Sequence, residues 1–190
     1  MKKILITLML LGAMTGSAQT GHLNFKGVPI EGPLTTFVGK RKQKGLKHVG
    51  TENGASLLKG NFASYKDCTI AASAYDNGDV NKVIVVFPSR KTWSDLYHNY
   101  ASLKSRLTEK YGNPETVEET FQGYDQPSDD GDRMYKVQFD ECRYISDFVT
   151  DGGIIELRIE HSGVFECFVI LIYEDTVNSE KIRSSAIDDL

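Results

Sequence analysis

Apolar residues recur at three-and-four spacing most clearly between Trp93 and Tyr111, where Trp93, Leu96, Tyr97, Tyr100, Leu103, Leu107 and Tyr111 fall on one stripe. That predicts a helix with one buried face. Thr92 can cap it, Asp95 suits the positive end of its dipole, Gly112 ends it and Pro114 prevents its continuation. A shorter helix opens at Gly32-Pro33, sets Leu34, Phe37, Val38 and Arg41 on one face and stops at Gly45. Elsewhere the pattern is that of strands. Asp67 to Tyr75 and Val80 to Phe87 flank Asp76-Asn77-Gly78-Asp79, a hairpin signal because Asn-Gly accepts positive φ. Val83 to Phe87 is apolar on both faces, as in a central strand. Ile155, Leu157 and Ile159 alternate with Glu156, Arg158 and Glu160, and Val164 to Tyr173 returns after the turn at His161-Ser162-Gly163.

The remaining segments are less regular. His22 to Ile30 reads as extended, and residues 46–66, punctuated by Gly50, Gly54 and Gly60, read as short strands. Thr116 to Phe121 is a strand, followed by a polar loop from Gly123 to Gly131. Arg133 to Val149 reads as one long strand. Its apolar parity changes from Tyr135, Val137 and Phe139 to Cys142, Tyr144 and Phe148, which predicts a bulge near Asp140-Glu141. Asn178 is placed to cap a short C-terminal helix. Each half thus reads as a helix followed by about four strands. The expected fold is α+β, with two tandem helix-plus-antiparallel-sheet units over 19–90 and 91–190, forming one globule.

The first residues add an address. Met1-Lys2-Lys3 is a charged start, Ile4 to Leu11 is a short apolar run, and Gly12 to Ala18 is rich in small side chains. This is the pattern of a secretory signal peptide over 1–18, with Gly16 and Ala18 placed for a cut before Gln19. The apolar run is too short for a membrane span, which needs about 20 residues. The expectation is a periplasmic or secreted protein with no transmembrane segment after processing. The 190 residues carry a formal charge of −4, and loss of Lys2 and Lys3 would make it −6, which argues against nucleic acid as a partner.

Candidate chemistry is sparse. Lys40, Arg41, Lys42, Lys44 and Lys47 form a basic run that could grip an anionic partner or could simply complement a helix end. Asp125, Asp129, Asp130 and Asp132 lack the alternating oxygens and distal glutamate of a calcium loop. His22, His48, His98 and His161 are scattered without metal-ligand spacing, so no metal or cofactor is expected. Cys68, Cys142 and Cys167 all lie in apolar strand contexts and are read as small buried hydrophobes, with Cys142 and Cys167 two strands apart and unbonded.

Two segments carry a resemblance. His22 to Ile30 with Phe37 and Lys44-Gly45, and Leu103 to Pro114 ending Glu109-Lys110-Tyr111-Gly112-Asn113-Pro114, resemble uncharacterised exported proteins of Bacteroides-type bacteria. The repeated helix-then-sheet order is similar in outline to the tandem-repeat β-lactamase inhibitory protein family, which implies a protein-binding sheet face. The function expected is a non-catalytic exported module that binds a protein or envelope component. The alternative is a hydrolase of envelope glycans or peptides using carboxylates such as Glu118, Glu119 or Glu141.

Overall fold

The computed structural model describes residues 21–163, 165–177 and 187, so the signal segment with its Ala18–Gln19 cut and the Asn178 cap lie outside the described residues. The described residues form ten strands and three helices: β1 (Asn24–Phe25), β2 (Val28–Pro29), α1 (Leu34–Gln43), β3 (Lys47–Glu52), β4 (Ala55–Phe62), β5 (Tyr65–Ala74), β6 (Val80–Val86), α2 (Trp93–Tyr111), β7 (Thr116–Phe121), α3 (Asp130–Gln138), β8 (Cys142–Thr150), β9 (Gly153–Ser162) and β10 (Glu166–Asp175). β1 and β2 make a small hairpin. The other eight strands form one antiparallel sheet in the order β3-β4-β5-β6-β10-β9-β8-β7.

The register explains the core. Leu58, Ile70, Val85, Leu171, Leu157 and Ser146 form one cross-strand row, and every member is buried. Alternation turns their neighbours to the opposite face. There Leu57, Ala71, Ile84, Ile172, Glu156 and Asp147 make the corresponding row. The helices pack on the first face. Tyr100 of α2 shares a 2.7 Å hydrogen bond with Ser146, and Trp93 meets Phe121 at a tilt and Tyr144 edge to face. No described helix covers the second face.

The stripe read along α2 is the buried one: Trp93, Leu96, Tyr100, Leu103 and Leu107 are buried, while Tyr97 at its edge is exposed. Thr92 accepts from the Asp95 amide at 3.2 Å, and Gly112 leaves the helix at φ +88°. The Asn77-Gly78 turn is present in a different form. Only Gly78 has positive φ, at +86°, and its amide donates to the Tyr75 carbonyl. Asp76 and Asn77 are therefore the centre of an ordinary turn, and Gly78 takes the left-handed position after it.

One segment is corrected. Residues 130–138 are helical, so the long strand from Arg133 and its bulge at Asp140-Glu141 do not exist, and among the described residues a helix, α3, stands between β7 and β8. The aspartates start that helix. Asp129 accepts from the Asp132 amide at 2.9 Å, Asp130 accepts from Ser94, and Asp132 accepts from Ser128. The apolar alternation is that of a helix whose Met134 and Val137 are buried while Tyr135 and Phe139, one turn apart, stack on the surface with ring centres 4.3 Å apart.

The start of the described chain is tied to its last strand. Asp175, fully buried, accepts from the Leu23 amide at 2.7 Å and meets His22 Nδ1 at 3.0 Å.

Candidate functional site

The basic run separates into two parts. Arg41 is fully buried, which removes it from any surface patch. Its guanidinium lies between the rings of Phe25 and Phe37, with centroids at 5.9 and 5.2 Å, and Nη1 donates to the Phe25 carbonyl. Arg41 thus ties α1 to the β1–β2 hairpin, and its place on the apolar face of α1 is the reason. Lys40, Lys42, Lys44 and Lys47 are exposed.

Lys44 and Lys47 join two lysines that sequence proximity could not supply. With Lys26 and Lys59 they line a cleft of about 410 Å³, whose other walls include Gly45, Gly60, Asn61 and Asp67. Lys47 and Lys59 are directly paired across β3 and β4. Lys26 sits in the β1–β2 turn at φ +49° and donates to the Asn61 carbonyl at 2.8 Å. Among the described residues none of the four lysines is ion-paired with a carboxylate, whereas Lys82, Lys104 and Lys136 pair with Glu174, Glu119 and Glu141.

A second cavity, of about 230 Å³, shares Lys26 and lies between α2 and the β4–β5 hairpin. Leu103 and Leu107 of α2 and Leu171 and Tyr173 of β10 line it, with Phe62 and Ala63 opposite. Its remaining charged lining is cationic, Arg106 and Lys110, with Tyr111 beside them. The hairpin turn beside it is strained. Ala63 and Ser64 both have positive φ, +47° and +72°, where glycine, asparagine or aspartate is the usual choice. Arg106 Nη1 donates to the Ala63 carbonyl at 2.8 Å and so holds this turn toward the helix. Backbone held in sparsely populated conformations is a feature of functional sites.

The third cavity, about 180 Å³, opens where β8 and β9 diverge beyond the Ile145–Arg158 pair. Cys142, Arg158, Asp140 and His161 line it. His161 faces the Gly163 carbonyl through Nδ1 at 2.8 Å and Asp140 through Nε2 at 3.0 Å. With acceptors at both nitrogens, the imidazolium form is favoured and the pKa is raised, chiefly by the Gly163 carbonyl and then by Asp140. With both ring nitrogens facing other acceptors, His161 presents no free nitrogen to take a proton from Cys142. Burial pushes the Cys142 thiol up to about 12. Cys68 and Cys167 are buried with raised pKa values from the same cause, and all three cysteines are free.

The carboxylates named in the sequence are not brought together. Glu118 pairs with Arg143 at 3.2 Å, its neighbour Glu119 turns to the other face and pairs with Lys104 at 2.6 Å, and Glu141 pairs with Lys136. Asp147 and Glu156 do stand opposite each other on the second face, and burial raises the Asp147 pKa, but neither lines any of these cavities. Among the described residues no group of three or more His, Cys, Asp or Glu side chains is arranged to hold a metal, and no helix is long and apolar enough to cross a membrane.

No known protein family, curated protein or solved structure matches the chain.

Proposed function

We propose that this protein is an exported, non-catalytic binding module for an anionic envelope component, held at the lysine cleft. The observation that carries the reading is the convergence of Lys26, Lys44, Lys47 and Lys59, unpaired among the described residues, in a chain of net charge −4. Four cations facing one lining carboxylate, Asp67, leave an excess of positive charge that raises the local potential and attracts an anion there. The signal pattern over 1–18 with the Ala18–Gln19 cut supports export. The test is retention of the purified exported protein on lipid, glycan and protein fractions of envelope extract. The expected result is salt-sensitive retention by an anionic fraction, weakened at least tenfold in a Lys44→Gln/Lys47→Gln/Lys59→Gln variant. Equal retention of the variant would overturn the reading.

A second reading places a protein partner on the open sheet face, and the observation that favours it is the exposed apolar pair Val149–Ile154 there. It draws on the proposed tandem architecture. α1 precedes β3 to β6, α2 precedes β7 to β10, and β6 and β10 join the halves. In this scheme α3 is an insertion into the second unit, and the units follow the 19–90 and 91–190 division. A Val149→Asp/Ile154→Asp variant that loses its partner while the lysine variant keeps it would establish this reading in place of the first.

A further inference from the structure

We infer that the ligand is a free single-chain anionic amphiphile of fatty-acid type, its head among the cations and its chain in the α2 cavity. This rests on the proposed binding function and names its ligand class.

The two cavities differ in chemistry and meet at one residue. The larger is lined by Lys26, Lys44, Lys47 and Lys59 with one carboxylate, Asp67. The smaller has an apolar floor of Leu103, Leu107, Leu171 and Tyr173, and its charged lining is Lys26, Arg106 and Lys110 without a carboxylate. Arg106 and Lys110 are four residues apart on α2 and so stand on one helix face. Neither is ion-paired among the described residues. Lys110 lies over the Tyr111 ring, 4.7 Å from its centroid. A purely inorganic anion leaves the apolar floor wet. A neutral apolar molecule leaves the cations without a counterion. A molecule with an anionic head and an apolar tail satisfies both.

Size narrows the class. The apolar cavity, at about 230 Å³, has the room of roughly seven or eight water molecules. It lies below the ~300–1,000 Å³ typical of pockets for drug-sized ligands. One short chain segment fits and the paired chains of a diacyl lipid do not. The ligand is therefore a free monomer that leaves its aggregate, rather than a bilayer surface.

The probe is decanoate below its micellar concentration, titrated calorimetrically into the purified exported protein, beside octanoate, acetate and the neutral decyl glucoside. The expected result is one decanoate per chain, with octanoate roughly tenfold weaker for the loss of two buried methylenes. Decyl glucoside is at least tenfold weaker than decanoate, and acetate does not bind measurably. An Arg106→Gln/Lys110→Gln variant, changed at two exposed positions, weakens decanoate at least tenfold, while loss of the Arg106–Ala63 hydrogen bond lowers its melting temperature by only a few degrees. Leu107→Trp, which fills the cavity, abolishes binding of decanoate. Should that variant unfold, the charge variant still decides the matter. Affinity that ignores chain length, with acetate as good as decanoate, overturns the inference and leaves the anion-binding function standing. Capture by vesicles of anionic phospholipid without decanoate binding also overturns it. Failure to bind decanoate and every anionic envelope fraction overturns both.

Discussion

Tyr100→Phe tests how α2 is seated on the sheet. Tyr100 and Ser146 are both fully buried, and their hydroxyls are 2.7 Å apart. Removing the tyrosine oxygen leaves the Ser146 hydroxyl enclosed without its partner. Removing the serine oxygen with Ser146→Ala does the reverse. Each single change costs about 1–3 kcal/mol, the desolvation penalty of one orphaned polar group. The double variant removes both polar atoms and is expected to cost clearly less than the sum of the two, a coupling of about 1 kcal/mol or more. For a chain of this size each 1 kcal/mol corresponds to roughly 2–4 °C in melting temperature. Urea unfolding of the four proteins at neutral pH gives the cycle. If the single variants were harmless, or the double variant fully additive, this hydrogen bond would not hold α2 to β8, and the placement of the α2 cavity would lose its support.

Other changes address different parts of the fold. Gly153 has φ +144°, and a Cβ there would sit 2.0 Å from the Glu174 carbonyl oxygen. Gly153→Ala is therefore expected to destabilise by at least about 2 kcal/mol, read by denaturant titration. Neutralising Lys40, Lys42 and Lys44, all exposed, should leave the melting temperature within a few degrees of wild type, since each charge at a helix end is worth about 0.3–1 kcal/mol. The His161 cation is favoured in the folded state, so its contribution is complete below the unfolded pKa near 6.5 and is lost as pH rises through the higher folded value. The melting-temperature deficit of His161→Gln should accordingly be larger at pH 5.5 than at pH 8.5. A thiol reagent at pH 8 should react slowly with the native protein and promptly with three thiols after denaturation, and peptide mapping should find no Cys142–Cys167 cross-link.

How much of this was legible in the chain depends on how local each signal is. The α2 stripe, the Thr92 cap and the strand after the Asn77-Gly78 turn, Val80–Val86, are contained within single segments, and they stand where the pattern puts them to within a residue. The α3 segment misleads because Tyr135, Val137 and Phe139 alternate, while burial selects Met134 and Val137. The Asp129 side chain poised over Asp132 is the signal that names the helix instead. Half of the lysine cleft was visible as Lys44 and Lys47. Lys26 comes from a separate hairpin and Lys59 from the next strand, and only the β3–β4 register and the β1–β2 turn bring them in. Arg41 belongs to the basic run by sequence, but its position beside Phe37 and Val38 on the α1 face places it inside. The second cavity gave no signal, since Arg106 and Lys110 read as the ordinary polar face of a helix.

Where the ligand binds decides between the lysine cleft and the sheet face. Amide chemical shifts of the purified exported protein, followed by NMR as the retained anionic envelope fraction is added, locate that place directly. The prediction is that the largest changes fall on Lys26, Gly45, Gly60, Asn61 and Ala63 around the two cationic cavities. Changes confined to the outward row of Ala71, Ile84, Ile172 and Glu156, with the cleft silent, would contradict it.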